Sequence, residues 1–328
     1  MITRTGDFRN CLSKASNERL SEMEKFSEKK LHGICGNGSY QDVVAYLESC
    51  EDGAEHLAKY RELFEGDKYV LEVDDPQVQT VLRVYEDYLK YVLANNKTTD
   101  EYKQYIMECF SEDFSDISGF DEFEKVFQEF FTERGYFANF GVTSPFPTLY
   151  LWKKQMNHVV DVELPEASVK MNVYEMDGIV TRGWYDYLTF GVIGAGGWVS
   201  DDGCYYFAEK YDVDSEDFKV SLLKHEGQHF YDKGMDSNMP SHELEYRAKL
   251  VELIYLQEQA VFNSFLAYMS DEITNPHGHA NKRIVAELSQ MIFDEELVTD
   301  KERWSAEYEK VSGMARQLFV ADTASRNG

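Results

Sequence analysis

No apolar run in the sequence is long enough to cross a bilayer, and the first residues, MITRTGDFRNCLSKASNERL, lack the continuous apolar core of a secretion signal. The expectation is therefore a soluble, cytoplasmic protein. Basic residues are scarce: 33 Lys and Arg stand against 60 Asp and Glu, a formal net charge of −27. Such a balance repels phosphate backbones and anionic membranes, which argues against nucleic acid or a membrane as partner and favours cationic ligands, metal ions included. The acidic residues are scattered along the chain, as on an ordinary solvated surface. Cysteines are few and widely spaced (Cys11, Cys35, Cys50, Cys109, Cys204) with no C-x-x-C pair. They read as thiols of a reducing compartment and exclude a disulfide framework or zinc ribbon. There is no repeat period and no Pro/Gly/Ser-rich linker. What remains is 328 residues, 43% hydrophobic and 14% aromatic, enough for a substantial core in one large domain or two ordinary ones.

Three regions differ in pattern. From about residue 10 to 135 the chain reads as helical. In QVQTVLRVYEDYLKYVLANN the apolar Val78, Val81, Leu82, Tyr85, Leu89 and Val92 recur at three- and four-residue steps. DEYKQYIMECF and GFDEFEKVFQEFFTERG, the latter ending at Gly135, behave alike, and their aromatic stripes read as core. From about 136 to 210, short runs rich in Val, Tyr, Phe and Thr (TLYLWKKQM, SVKMNVYEM, WYDYLTFGVIG, GCYYFAEKY) lie between turn residues and predict strands. GAGGWVSDDGCYYF reads as two strands joined through Asp202-Gly203, with Gly194, Gly196 and Gly197 leaving backbone open to a substrate chain. After residue 214 the helical period returns. One helix, capped by Asp214 or Ser215, runs through SEDFKVSLLKHEGQHFYDK and stops at Gly234. A second starts near Ser241 and continues through SHELEYRAKLVELIYLQEQAVFNSFLAYM. Two more, around ANKRIVAELSQMIFDEEL and KERWSAEYEKVSGMARQLF, precede a frayed ADTASRNG end.

The chemistry concentrates in KHEGQHFYD. Residues four apart on a helix lie one above the other, so His225 and His229 present their imidazoles from one face, at a separation a zinc ion bridges. Phe218 and Leu222 continue the same stripe, which turns the histidines inward. Glu226 stands beside them, off the ligand axis, where a carboxylate can take a proton from the water that zinc activates and pass it to a leaving amine. In a chain with eight histidines, His-Glu-x-x-His on a credible helix is a specific signal.

A catalytic zinc needs a third protein ligand. The next helix opens with Ser241-His242-Glu243-Leu244-Glu245-Tyr246-Arg247-Ala248. With Ser241 as N-cap, Glu243 falls in the first turn, where a carboxylate already suits the helix dipole. Glu245 lies a half-turn further in, with small Ala248 allowing close helix approach. Glu245 is the first candidate ligand, Glu243 the second and His242 the third. Glu252, two turns beyond Glu245, is either a supporting group or a solvated one.

HEGQH followed by a glutamate on the next helix resembles the gluzincin metallopeptidases, the thermolysin-containing group in which an HExxH helix and an E-x-x-[AS]-[DN]-type helix hold zinc. The resemblance covers roughly residues 185 to 285. It implies Zn2+ held by His225, His229 and Glu245, with Glu226 as catalytic base and an edge strand, here GGWVSDDGCYYF, aligning the peptide. Lys249 departs from the pattern, because the acidic or amide residue found there in the family orients the first histidine. That task would pass to Asp232 or Glu252. Asn275-Pro276-His277-Gly278-His279-Ala280-Asn281 is similar to the family's G-x-H-x-N stretch, with His277 at the glycine position. It implies His279 as donor to the developing oxyanion, with Arg283, Tyr246 and Tyr231 as lesser candidates.

The combined expectation is an α+β zinc-dependent peptidase. A mostly helical region over residues 1–135 would accompany a zincin-like domain over 136–328, built from a small mixed sheet with an edge strand, the HExxH helix and a helical C-terminal half. Its partner would be a peptide or protein substrate, basic or neutral rather than acidic. Two alternatives stand beside it: a catalytically silent binding or regulatory protein, which an intact Glu226 argues against, and a zinc hydrolase of a non-peptide amide or ester.

Overall fold

The computed structural model describes residues 39–327 apart from 67–68, 70–72, 95–98, 111–116, 118, 144–145, 190–195 and 257. The expected helix before residue 39, Cys11, Cys35 and Gly194 lie outside the described residues. Helices and strands mix in an α+β chain that divides into two compact units, Met1–Lys154 with Gly178–Ala195, and Gln155–Asp177 with Gly196–Gly328. Among the described residues a five-stranded sheet, ordered β1-β2-β3-β5-β4, comprises β1 (Phe137–Thr143), β2 (Phe146–Glu163), β3 (Ser168–Arg182), β4 (Gly197–Ser200) and β5 (Gly203–Phe207). The long strands β2 and β3 contribute residues to both units, which is why each unit is discontinuous in sequence.

The first unit holds α1 (Tyr40–Ser49), α2 (Ala54–Phe64), α3 (Pro76–Ala94), α4 (Thr99–Cys109), α5 (Phe120–Thr132), β1 and α6 (Trp184–Thr189). Apolar periodicity accounts for the helices: Val78, Val81, Leu82, Tyr85, Leu89 and Val92 of α3 are all buried. Phe123, Phe127 and Phe131 form the inner stripe of α5, and the first two meet Phe140 of β1, the Phe127 and Phe140 rings lying 5.5 Å apart. After α5, Gly135 takes a left-handed φ of 78°, a conformation that glycine adopts without Cβ strain. The segment WYDYLTF begins as a helix, not a strand. Trp184 and Leu188, four positions apart, are buried on one face of α6, so the run that looked β-prone packs with helical period.

In the second unit β3 and β5 pair in parallel, Tyr174 opposite Tyr205, while β4 and β5 form the expected hairpin with Ser200 opposite Gly203. β4 ends the sheet order, so it has one strand neighbour among the described residues. Gly196 and Gly197 are required for packing: a Cβ at 196 would stand 2.3 Å from the Tyr211 hydroxyl, and one at 197 would stand 2.4 Å from the Tyr205 carbonyl oxygen. The residues before the histidines, Asp217–Lys224, are wound as a π-helix, a rare winding associated with functional sites, and lead directly into α7 (His225–Met235). Ser215 caps this segment by accepting the Phe218 N–H (3.1 Å), and α7 continues one residue past Gly234. Phe218 and Leu222 pack with Val162, Val173, Cys204 and Tyr206 of the sheet.

The remaining helices are α8 (Ser241–Tyr255), α9 (Gln259–Ala267), α10 (Pro276–Phe293), α11 (Lys301–Glu307) and α12 (Val311–Asn327). Ser241 is the first helical residue of α8; Pro240 occupies the cap and makes no side-chain hydrogen bond. The single long helix expected from Ser241 onward is two, because the buried Leu256 turns to extended backbone. That turn lets Phe262 of α9 pack on Trp304 of α11 at 4.6 Å. The C-terminal residues are helical to Asn327 rather than frayed, since Asp322 accepts hydrogen bonds from Arg247 (2.6 Å) and Arg326 (2.7 Å). Cys50, Cys109 and Cys204 are free thiols, and no helix among the described residues is long and apolar enough to cross a membrane.

Candidate metal centre

One turn of α7 places the imidazoles of His225 and His229 side by side, ring centroids 4.6 Å apart, and both residues are buried. α8 packs on α7 and presents Glu245 to them. Its carboxylate oxygens lie 3.4 Å from His229 Nε2 and 3.7 Å from His225 Nε2. One donor atom from each of the three residues falls within 4.8 Å of the others. Ligand atoms about 2 Å from a zinc ion at tetrahedral angles stand about 3.3–3.5 Å apart, so this spacing suits one small cation. Two imidazole nitrogens and one carboxylate oxygen are also the donor set of a zinc site with a position left over. The residues fit the metal that the motif implies.

Glu252, three turns along α8 from its first residue, lies against the other nitrogen of His225: its Oε1 is 2.5 Å from Nδ1. That contact leaves Nε2 directed toward Glu245, which is how supporting carboxylates fix the tautomer of a ligating histidine. Burial lowers the His225 pKa, but Glu252, then Glu245 and Glu226, outweigh it and hold the imidazole up at about 9. Burial likewise raises Glu245, yet His229, His277 and His225 hold it well below the usual carboxylate range. A carboxylate kept ionised is ready to meet a cation. His229 has no counterpart to Glu252, since its Nδ1 is buried without a hydrogen-bond partner among the described residues.

Glu243 faces elsewhere. It accepts from Arg283 (3.1 Å) and Arg326 (2.5 Å), and His242 Nε2 lies 3.5 Å from its Oε1. Asp232, the other candidate partner for His225, accepts instead from Arg247 Nε at 2.8 Å. Lys249 lies over the Phe265 ring, 4.8 Å from its centre. Glu226 occupies the first turn of α7, partly exposed. Tyr246 donates to Glu287 (2.5 Å) beneath the Arg283 guanidinium, which engages both residues away from Glu245; Tyr231 packs against the sheet-side core. β4 and β5 both pack on α7, so the edge strand and the histidine helix adjoin.

The sequence assigned the pattern's histidine to His279, whose ring lies edge-on to His242 at 5.5 Å. It is His277, at the glycine position, whose Nδ1 comes within 2.8 Å of Glu245 Oε2 while 64% of its side chain stays exposed. Side chains two apart on a helix point to nearly opposite sides, so only one of them can meet Glu245. No family model, curated protein or solved structure matches the chain.

Proposed function

We propose that this protein is a zinc-dependent metallopeptidase of gluzincin type. The observation that carries the reading is the convergence of His225, His229 and Glu245 with Glu226 one residue from the first histidine. Held by these three ligands, zinc would polarise both the attacking water and the scissile carbonyl. Glu226 accepts the proton of that water and returns it to the leaving amine. The first turn of α10, which bears His277 and His279, supplies the donor to the carbonyl oxygen as it gains charge. The substrate is a peptide in extended form, lying along β4 beside Gly197 and Val199, whose main-chain groups face the open edge. On this reading the unit of Gln155–Asp177 and Gly196–Gly328 makes the zincin-like catalytic region, with the mostly helical first unit as an attachment, in the cytoplasm, where free thiols such as Cys50, Cys109 and Cys204 persist.

The test is metal analysis of the purified protein combined with peptide hydrolysis. Stoichiometric zinc that is lost in His225→Ala, and a Glu226→Gln variant that keeps zinc while losing hydrolysis, are the expected results. Absence of stoichiometric metal, together with a His225→Ala variant as stable as the parent, overturns the reading.

A further inference from the structure

Asp232 lies three residues beyond His229 on α7, and Arg247 lies two residues beyond Glu245 on α8. Their ion pair (2.8 Å, both side chains almost fully buried) is a crossbar between the two helices that carry the ligands. His225 and Glu252 form a second crossbar about two turns back along α7, so the two ligand-bearing helices are tied to each other at two points. The Arg247 crossbar is itself held from outside. Arg247 Nη1 donates to Asp322 Oδ2 (2.6 Å) and Thr323 Oγ1 (3.1 Å) of α12, and its guanidinium lies 4.5 Å over the Phe319 ring of the same helix. Arg326 of α12 meanwhile takes Glu243, the competing carboxylate of α8. An arginine fork has donors for two carboxylates at once, and here the second carboxylate comes from residues far away in sequence.

We propose that the C-terminal helix sets the metal affinity of the site, with Asp322 as a positioning residue that acts through Arg247 on the α7–α8 spacing. This rests on the reading of His225, His229 and Glu245 as zinc ligands. Without Asp322 the guanidinium keeps one carboxylate, α8 loses one of its two ion pairs to α12, and Glu245 no longer stands at bonding distance from a cation held by the histidines.

The experiment measures the zinc dissociation constant of the full chain by competition with a chromophoric chelator, for the parent and for Asp322→Ala, Asp322→Asn, Arg247→Lys and Glu295→Gln. Melting temperatures with and without zinc are recorded alongside. Loss of a group that orients a ligand weakens metal binding about 10–100-fold. That loss is expected for both Asp322 variants and for Arg247→Lys, which keeps the charge but not the fork. Glu295→Gln removes the same charge at an exposed ion pair and is expected to leave zinc affinity unchanged. A purely packing role would lower the melting temperature equally with and without zinc and leave the dissociation constant alone, because stabilisation by a ligand depends on its affinity. If Asp322→Ala does not fold, the near-isosteric Asp322→Asn decides. The proposal is overturned if Asp322→Asn and Arg247→Lys bind zinc within about twofold of the parent, or if Glu295→Gln weakens it as much as they do. A parent that binds no zinc overturns the metal reading and this proposal together; unaltered binding in the variants overturns only the proposal.

Discussion

Glu252 Oε1 stands 2.5 Å from Nδ1 of His225, across the α7–α8 interface and 27 residues away in sequence. The carboxylate against His225 thus comes from one helical turn beyond Ala248, not from position 249, where a lysine lies against Phe265. Glu252→Ala is expected to weaken zinc binding about 10–100-fold, and Glu252→Gln, which keeps an acceptor, less. Titration with zinc in the presence of a competing chelator measures this; equal affinity of Glu252→Ala and the parent would remove Glu252 from the site.

Glu245→Ala is expected to abolish stoichiometric zinc, whereas Glu243→Ala retains it. Glu243 is partly exposed and paired with Arg283 and Arg326, so its removal costs about 0–1 kcal/mol of stability. Metal content after dialysis distinguishes the two, and loss of zinc in Glu243→Ala alone reverses the assignment.

Gly227 sits between the two histidines with its Cα against β2. A Cβ there would lie 2.8 Å from Val162 Cγ1, inside contact distance, so Gly227→Ala pushes α7 off the sheet. Overpacking of this kind costs about 1–3 kcal/mol. Chemical denaturation reads the cost, and an unchanged midpoint would show that the helix yields without strain.

Asp322 gives the acid response a sign. Burial raises its carboxyl, but hydrogen bonds from Arg326 and Arg247 outweigh that and hold it below the usual aspartate range. A group depressed in the folded state contributes stability that is complete above the unfolded aspartate pKa of about 3.9 and is lost as pH falls through the folded value. The stability gap between the parent and Asp322→Asn is therefore expected to be full at about pH 7 and to close in acid toward about pH 3. Urea denaturation at both pH values tests it, and a gap that widens in acid would contradict the ion-pair account.

What the sequence determined is local. Apolar residues at three- and four-residue steps define α3 and α5, because neighbours along the chain set helical period and the buried face together. The same rule aligned His225 with His229 and placed Glu226 beside them, and the Asp202-Gly203 dipeptide marked the β4–β5 hairpin. Tertiary structure decided everything that depends on how elements dock. Glu243 and Glu245 are two positions apart, about 200° around α8, so the rotation at which α8 meets α7 selects which of them faces the histidines. No local pattern could distinguish them. WYDYLTF had strand-forming residues, yet the burial of Trp184 and Leu188 in the first unit made a helix of its first part. Leu256 broke a continuous helical pattern so that Phe262 could reach Trp304. The C-terminal residues read as polar and frayed until Asp322 met Arg247, a partner 75 residues away whose guanidinium is buried and whose charge a second carboxylate helps to balance.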